Sequence, residues 1–290
     1  GVTTVRVERT LPFLFAHQLQ QAGIKLNYDG DYGVLQRRIK NDEELEHLRA
    51  VQKITEATME MACSLIGRSP ADAEGVLQHE GAALTSERVR QLISRFVLDH
   101  DCTTLHDSIV VTVPHVADCH HFGTGPLRKD LPVIVDIFPT HNHTHYCGDC
   151  TRTVVNGDVS DIVRDMHACV VRANAAGCAA LQPGTTGQAV HEAVAAVIRE
   201  GGYSMGAPTS EKDEEWIGMR HGTGHGIGLD VHEPILLATG GGEILEREVF
   251  TVEPGLYSAI HGGVRVEDMV AVTATGHENF NQLHSGLDWK

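Results

Sequence analysis

His221-Gly222-Thr223-Gly224-His225-Gly226-Ile227-Gly228-Leu229-Asp230-Val231-His232-Glu233 holds three histidines, two acids and four glycines in thirteen residues. Histidine is the commonest metal ligand and the side chain best suited to moving protons near neutral pH. Glycines around it allow close backbone approach and conformations closed to other residues. The stretch names no reaction by itself. Its meaning depends on which carboxylates reach it.

Four acids elsewhere stand in one repeated context. Asp136 follows Val133-Ile134-Val135, and Asp149 precedes Cys150-Thr151-Arg152-Thr153. Glu253 follows Phe250-Thr251-Val252, and Glu267 follows Val264-Arg265-Val266. Acids that end apolar strands sit where water is scarce, and an unpaired buried carboxylate is expensive. Four together repel unless neutralised. No run of Lys or Arg lies near them to do so. Two divalent cations would, and oxygen-rich ligation with one imidazole suits Mn, Co, Fe or Zn better than a thiolate site would.

Periodicity places these acids in a larger pattern. Residues 1–40 read as an extended piece, a short helix around Pro12–Ala22, and a Gly- and Tyr-rich loop to Gly33. Asn41-Asp42-Glu43-Glu44 is a helix start, with Asn as cap and Glu at the third helical position. Leu45, Leu48, Val51, Ile54 and Met61 follow it at helical spacing. Thr85-Ser86-Glu87 opens a second helix carrying Val89, Leu92, Ile93, Phe96 and Val97. Ser108–Val113, Val133–Phe138 and Cys150–Val155 read as strands. Helices over Asp161–Leu181 and Gly187–Glu200 follow, then strands at Val249–Val252 and Gly263–Val272. The order helix, helix, hairpin occurs twice, and each hairpin brings two acids. It predicts an α/β (α+β) domain of pseudo-two-fold symmetry, with helices flanking a curved, mainly antiparallel sheet.

Composition narrows the partners. Asp and Glu outnumber Lys and Arg 39 to 23, a formal charge of −16. That argues against nucleic-acid and anionic-membrane surfaces, which need a basic face. No apolar run approaches the ~18 residues of a membrane span. Seven cysteines without a regular framework fit reduced thiols in the cytoplasm. Cys147-Gly148-Asp149-Cys150 has redox or zinc-knuckle spacing but lacks a second pair, so two thiols beside a functional acid is the better reading.

The acid-bearing segments, together with His221–Glu233 and Thr251-Val252-Glu253-Pro254-Gly255-Leu256-Tyr257, resemble the pita-bread (M24) metallopeptidases, the family of methionine aminopeptidase, prolidase and aminopeptidase P. The likeness covers roughly residues 41–275. It implies Asp136, Asp149, His225, Glu253 and Glu267 as ligands of two divalent ions, manganese foremost, with Asp149 and Glu267 bridging. A metal-bridging hydroxide would be the nucleophile and Glu253 would take part in catalysis. His232 matches the family's second histidine, which contacts substrate and assists proton transfer. His121 is the closer match to the histidine before the first Asp, with His120 as the alternative. His221 would line the substrate pocket.

Arg265, two residues before Glu267 and followed by Asp268, resembles the Xaa-Pro aminopeptidase and prolidase branch. A guanidinium there can order the bridging acid or meet a substrate carboxylate. The resemblance therefore implies a homodimeric peptidase cutting before proline, in a dipeptide or a longer peptide. A methionine aminopeptidase-like exopeptidase and a non-catalytic binding module are the alternatives. Arg38-Ile39-Lys40 resembles the junction after those enzymes' amino-terminal domain. Residues 1–40 then read as a remnant of that domain, and 41–290 as the catalytic domain. The interval from Asp136 to Asp149 is longer than in most of the family and contains His141, His143 and His145. These could touch metal or substrate at the pocket rim, but a solvated loop is the plainer expectation.

Overall fold

The computed structural model describes residues 1–208 and 215–290. In the first forty residues, Thr4–Val7 pairs in parallel with Lys25–Tyr28, and helix α1 (Phe13–Gln21) connects them. The second strand lies where the composition suggested only loop. Its Leu26 and Tyr28 are spaced as strand residues, but the surrounding Gly and Tyr mask so short a signal.

Helix α2 (Asp42–Arg68) begins with the expected capping box. The Asn41 side chain accepts from the Glu44 N–H at 3.0 Å, and the Glu44 carboxylate accepts from the Asn41 N–H at 2.7 Å. Its buried stripe runs Leu45, Leu48, Thr55, Met59, Ala62, Ile66, while Ile54 and Met61 fall on the flank. The 3.6-residue period, followed over seven turns, carries the stripe past the expected positions. Helix α3 (Ser86–Asp99) starts at the Thr85 cap and buries Val89, Ile93 and Val97. Helices α4 (Asp161–Ala180) and α5 (Gly187–Glu200) are capped by Ser160 and Thr186.

Three sheets carry the centre. Ile109–Val111, Pro132–Ile137 and Cys150–Val155 form an antiparallel set. A five-stranded sheet has the order Glu233–Leu237, Gly224–Gly226, Val249–Val252, Asp268–Thr273, Gly276–Asn279. A four-stranded one has the order Ser204–Met205, Gly218–Met219, Gly255–Ser258, Gly262–Arg265. The stretch Gly263–Val272, expected as one strand, is thus two strands in different sheets, broken at Val266-Glu267. The break has a physical cause. The Glu267 N–H donates to the Thr151 carbonyl at 3.1 Å, so this residue bridges to the other half of the molecule. Alternation within the stretch cannot reveal that long-range partner.

Each half has an apolar cluster of its own, and a further cluster joins Leu45, Leu48 and Val51 of α2 to Ile227, Val249 and Met269 of the second half. α2 and α3 pack Met59, Ile66, Val89 and Ile93 against Val133, Val135 and Val154. α4 and α5 pack Val163, Met166, Val194 and Ile198 against Leu256 and Val264. Each fully buried aliphatic side chain contributes roughly 1.5–3 kcal/mol, so both halves anchor their acid-bearing strands firmly. Among the described residues, no helix is long and apolar enough to cross a membrane. All seven cysteines are free thiols.

Candidate metal centre and cavity

The two hairpins deliver their acids by matching devices. Asp136 lies opposite Thr151 in one ladder, and Val252, just before Glu253, lies opposite Asp268 in the other. Each hairpin is gripped by a polar residue from the buried face of a helix. Gln52 of α2 accepts from the Asp149 N–H at 2.9 Å and donates to the Asp149 carbonyl at 2.6 Å. Asn174 of α4 donates to the Val252 carbonyl at 2.8 Å. Neither residue was singled out from sequence, although a polar side chain within an apolar helical stripe was the available signal.

His225 stands on the short strand Gly224–Gly226, which slots against Val249–Val252 because Gly224 has no side chain. A Cβ there would lie 1.9 Å from the Thr251 carbonyl oxygen. One donor atom from each of Asp149, His225 and Glu267 falls within 4.8 Å of the others, and all three residues are buried. The Nε2 of His225 lies 3.7 Å from Glu253 Oε1 and 3.9 Å from Asp149 Oδ2. Asp136 lies outside that group of three and accepts from Arg265 Nη2 at 2.7 Å.

The acids pay an electrostatic penalty for this convergence. Burial raises Asp149 well above the usual carboxylate range, and Glu267, Asp136 and Glu253 raise it further. Burial likewise raises Glu267, with repulsion from Glu253 and Asp136, against a lowering pull from Arg265 and Thr151. Glu253 is pushed up to about 8, mainly by burial. Burial lowers His225 to about 3, aided by neighbouring His232, so its ring is neutral.

This donor set fits a bound cation. The Nδ1 of His225 is placed to donate to the Gly226 carbonyl at 3.1 Å. Its Nε2 lone pair is thereby turned toward the carboxylates, an arrangement that repels unless a cation lies between them. Among the described residues, the buried Oδ1 of Asp136 also has no hydrogen-bond partner.

The acids and histidines line a cavity of about 750 Å³ whose walls include Leu105, Ile109, Phe138 and Val231. His232 lines it too, its ring packed on that of His225 with centroids 4.2 Å apart. His221 accepts or donates at the Tyr257 hydroxyl at 2.7 Å, and burial, followed by the Arg265 charge, lowers it to about 3. Arg265 Nη1 donates to that same hydroxyl at 2.9 Å and its Nε to Thr151 Oγ1 at 3.2 Å, so its guanidinium is turned inward. Thr151 in turn donates to Glu267 Oε2 at 2.7 Å. Tyr257 and Thr151 are thus parts of the site that sequence reasoning passed over, because their alternation is that of ordinary strand residues.

Of the two adjacent histidines, His120 lines the cavity. His121 stacks instead on His115, with centroids 4.4 Å apart, and its Nδ1 accepts from the Gly123 N–H at 2.9 Å. In the histidine-rich loop His141 Nδ1 accepts from the Thr144 N–H at 3.2 Å, and His143 packs edge-on to His141. Those three histidines form no metal-donor group among the described residues. Cys147 and Cys150 are buried thiols, both pushed up by burial.

Mainly antiparallel sheets in two helix-flanked halves, with carboxylates and an imidazole converging between them, define the pita-bread metallopeptidase class. The sequence profile of metallopeptidase family M24 matches residues 46–274, and the chain belongs to that family. It is 29% identical over 244 residues to an uncharacterized peptidase of Staphylococcus haemolyticus, covering 83% of this chain and 62% of the relative. An Xaa-Pro dipeptidase from Bacillus anthracis superimposes with a TM-score of 0.79 at 26% identity, covering 96% of this chain and 72% of that one. An X-Pro aminopeptidase from Thermotoga maritima gives 0.80 at 25% identity, covering 98% and 74%.

Proposed function

We propose that this chain is the catalytic part of a metal-dependent exopeptidase that hydrolyses the peptide bond before proline. The observation that carries the reading is the neutral His225 Nε2 aimed at Glu253 and Asp149 inside a buried acid cluster. The Xaa-Pro dipeptidase of Bacillus anthracis and the X-Pro aminopeptidase of Thermotoga maritima favour proline-containing substrates for this chain. Asp136, Asp149, His225, Glu253 and Glu267 would hold two divalent ions, with Asp149 and Glu267 shared between them. Such ions lower the pKa of bound water and polarise a carbonyl.

The protein's own groups supply the rest. Arg265 holds Asp136 in one orientation, and Thr151 does the same for Glu267. His232, on the cavity wall, is placed to pass a proton between a ring nitrogen and the departing amine. Glu253, whose Oε1 lies 3.7 Å from His225 Nε2, would offer a second proton-accepting oxygen. His120 and His221 line the chamber as substrate contacts, while His121 acts behind the wall. Leu105, Ile109 and Phe138 offer apolar surface for a prolyl ring. Manganese as the first-choice ion, a homodimeric assembly, a cytoplasmic setting and a domain boundary near residue 40 belong to the same reading.

The test is a peptide panel on metal-loaded protein: Xaa-Pro dipeptides, Xaa-Pro-Xaa peptides and Met-Ala peptides, with several divalent metals. Turnover confined to proline peptides is expected. Cleavage of Met-Ala alone, or of none, overturns the assignment.

A further inference from the structure

The loop between His225 and the strand Glu233–Leu237 closes on the carboxylate of its own last residue. Glu233 Oε1 accepts from the Leu229 N–H at 3.1 Å and the Asp230 N–H at 3.3 Å. A Cβ on Gly228 would lie 2.7 Å from Glu233 Oε2, so glycine there leaves the carboxylate room in this position. Two cations from outside the loop complete the grip. Arg37 Nε lies 2.8 Å from Oε1, and Lys40 Nζ lies 3.2 Å from Oε2. Arg37 also pairs with Asp230. The Lys40 and Glu233 side chains are only 3% and 0% exposed, so this is a desolvated pair rather than a surface one.

We infer that Glu233 is a positioning residue: clamped by Arg37 and Lys40, its carboxylate sets the loop that holds His232 against His225 and over the cavity. His232 directly precedes Glu233, so moving the carboxylate moves the histidine's backbone. Both cations lie in the segment that leads from the first forty residues into α2. That segment is fastened on its other side as well, by the Lys40 N–H donating to the Arg247 carbonyl at 3.0 Å and Arg38 pairing with Glu248. The clamp therefore ties the amino-terminal segment mechanically to a cavity histidine. Burial lowers the Lys40 pKa, and the charge of Glu233 opposes that.

The inference rests on the proposed peptidase reading for its rate measurement, and on the fold alone for its second readout. Glu233→Gln keeps the shape and removes the charge. In metal-loaded protein with an Xaa-Pro dipeptide, kcat is expected to fall on the order of tenfold to a hundredfold while metal content stays at the wild-type level. In a His232→Ala background the same change is expected to cost less than about twofold, because the group it positions is gone. Equal losses in both backgrounds, or wild-type kcat in Glu233→Gln, overturn the inference. Lys40→Met, tested in the same cycle, attacks the clamp from the other side and decides the matter if Glu233→Gln does not fold. Histidine NMR of the protein loaded with diamagnetic zinc supplies a readout without turnover: the His232 ring resonances shift in Glu233→Gln and those of His221 do not. Absence of proline-peptide turnover in the wild type would sink the peptidase reading alone. Unshifted His232 resonances would sink the clamp alone.

Discussion

Arg265 Nη2 donates to Asp136 Oδ2 at 2.7 Å within the acid cluster, and both side chains are almost wholly removed from water. Its remaining nitrogens reach Thr151 and Tyr257. The guanidinium is thus the cation that the protein itself supplies against four carboxylates. Its own pKa stays well above the ordinary value: burial lowers it, but Tyr257, Asp136, Glu253 and Glu267 more than offset that.

Replacing this group should therefore be costly. Arg265→Met is expected to destabilise the metal-free protein by about 3–5 kcal/mol, the usual cost of stranding one half of a buried ion pair. Arg265→Lys should recover little, because an ammonium cannot span three partners in the plane of a guanidinium. Urea denaturation of the three proteins measures both. A loss below about 1 kcal/mol for Arg265→Met would show that Asp136 does not depend on it.

Thr151 holds Glu267 from behind while accepting from Arg265. Thr151→Val keeps the shape and removes the hydroxyl. Metal affinity is expected to fall about 10–100-fold, the range for partners that orient a ligand from behind. Competition against a chelating dye gives the affinity, and unchanged binding would assign Thr151 a packing role only.

The raised carboxylates fix a pH dependence. An acid whose folded pKa lies above its unfolded value binds more protons when folded. Its effect on stability is absent below the unfolded pKa and grows unfavourable as pH rises through the folded one. With Glu253 raised from 4.5 to about 8, metal-free protein should lose stability between roughly pH 4.5 and 8. Metal-loaded protein should lose much less over that window. Metal binding near pH 7 should also release protons, seen as a buffer-dependent calorimetric heat. Melting curves of both forms across the window check the sign, and a metal-free protein that gains stability as pH rises would contradict it.

His225 and His232 touch each other but should fail differently. His225→Ala is expected to lose metal, since Nε2 faces Glu253 and Asp149. His232→Ala is expected to keep metal and lose about 10²–10⁴-fold in kcat, the range for one proton-transfer group. Elemental analysis alongside kinetics separates the two. Metal loss in both would mean that His232 is a ligand.

The local code of this chain was legible where chemistry is local. Asn41 with Glu44, and Thr85, announce two helix starts, because a cap is a contact between residues three apart; Ser160 and Thr186 cap two more by the same contact. The four acids stood out too, since each follows or precedes an apolar strand, whereas His225 was singled out from the neighbouring histidines only by the family resemblance. The break at Val266-Glu267 was not legible, because its partner Thr151 lies 116 residues away. The order of His120 and His121 along the chain could not say which ring faces the cavity. That follows from the stacking of His121 on His115.

Sequence alone therefore determined the main helices, the repeated helix-and-hairpin order and the donor types, since periodicity, capping and acid–strand junctions are properties of neighbours. Tertiary structure alone decided which groups meet and in what electrostatic state. Only folding brings Arg265 to Asp136, seats Lys40 on Glu233, and turns a neutral His225 nitrogen toward two buried carboxylates. Those are contacts across 129, 193, 76 and 28 residues, and burial gives them their strength because it removes the water that would screen them.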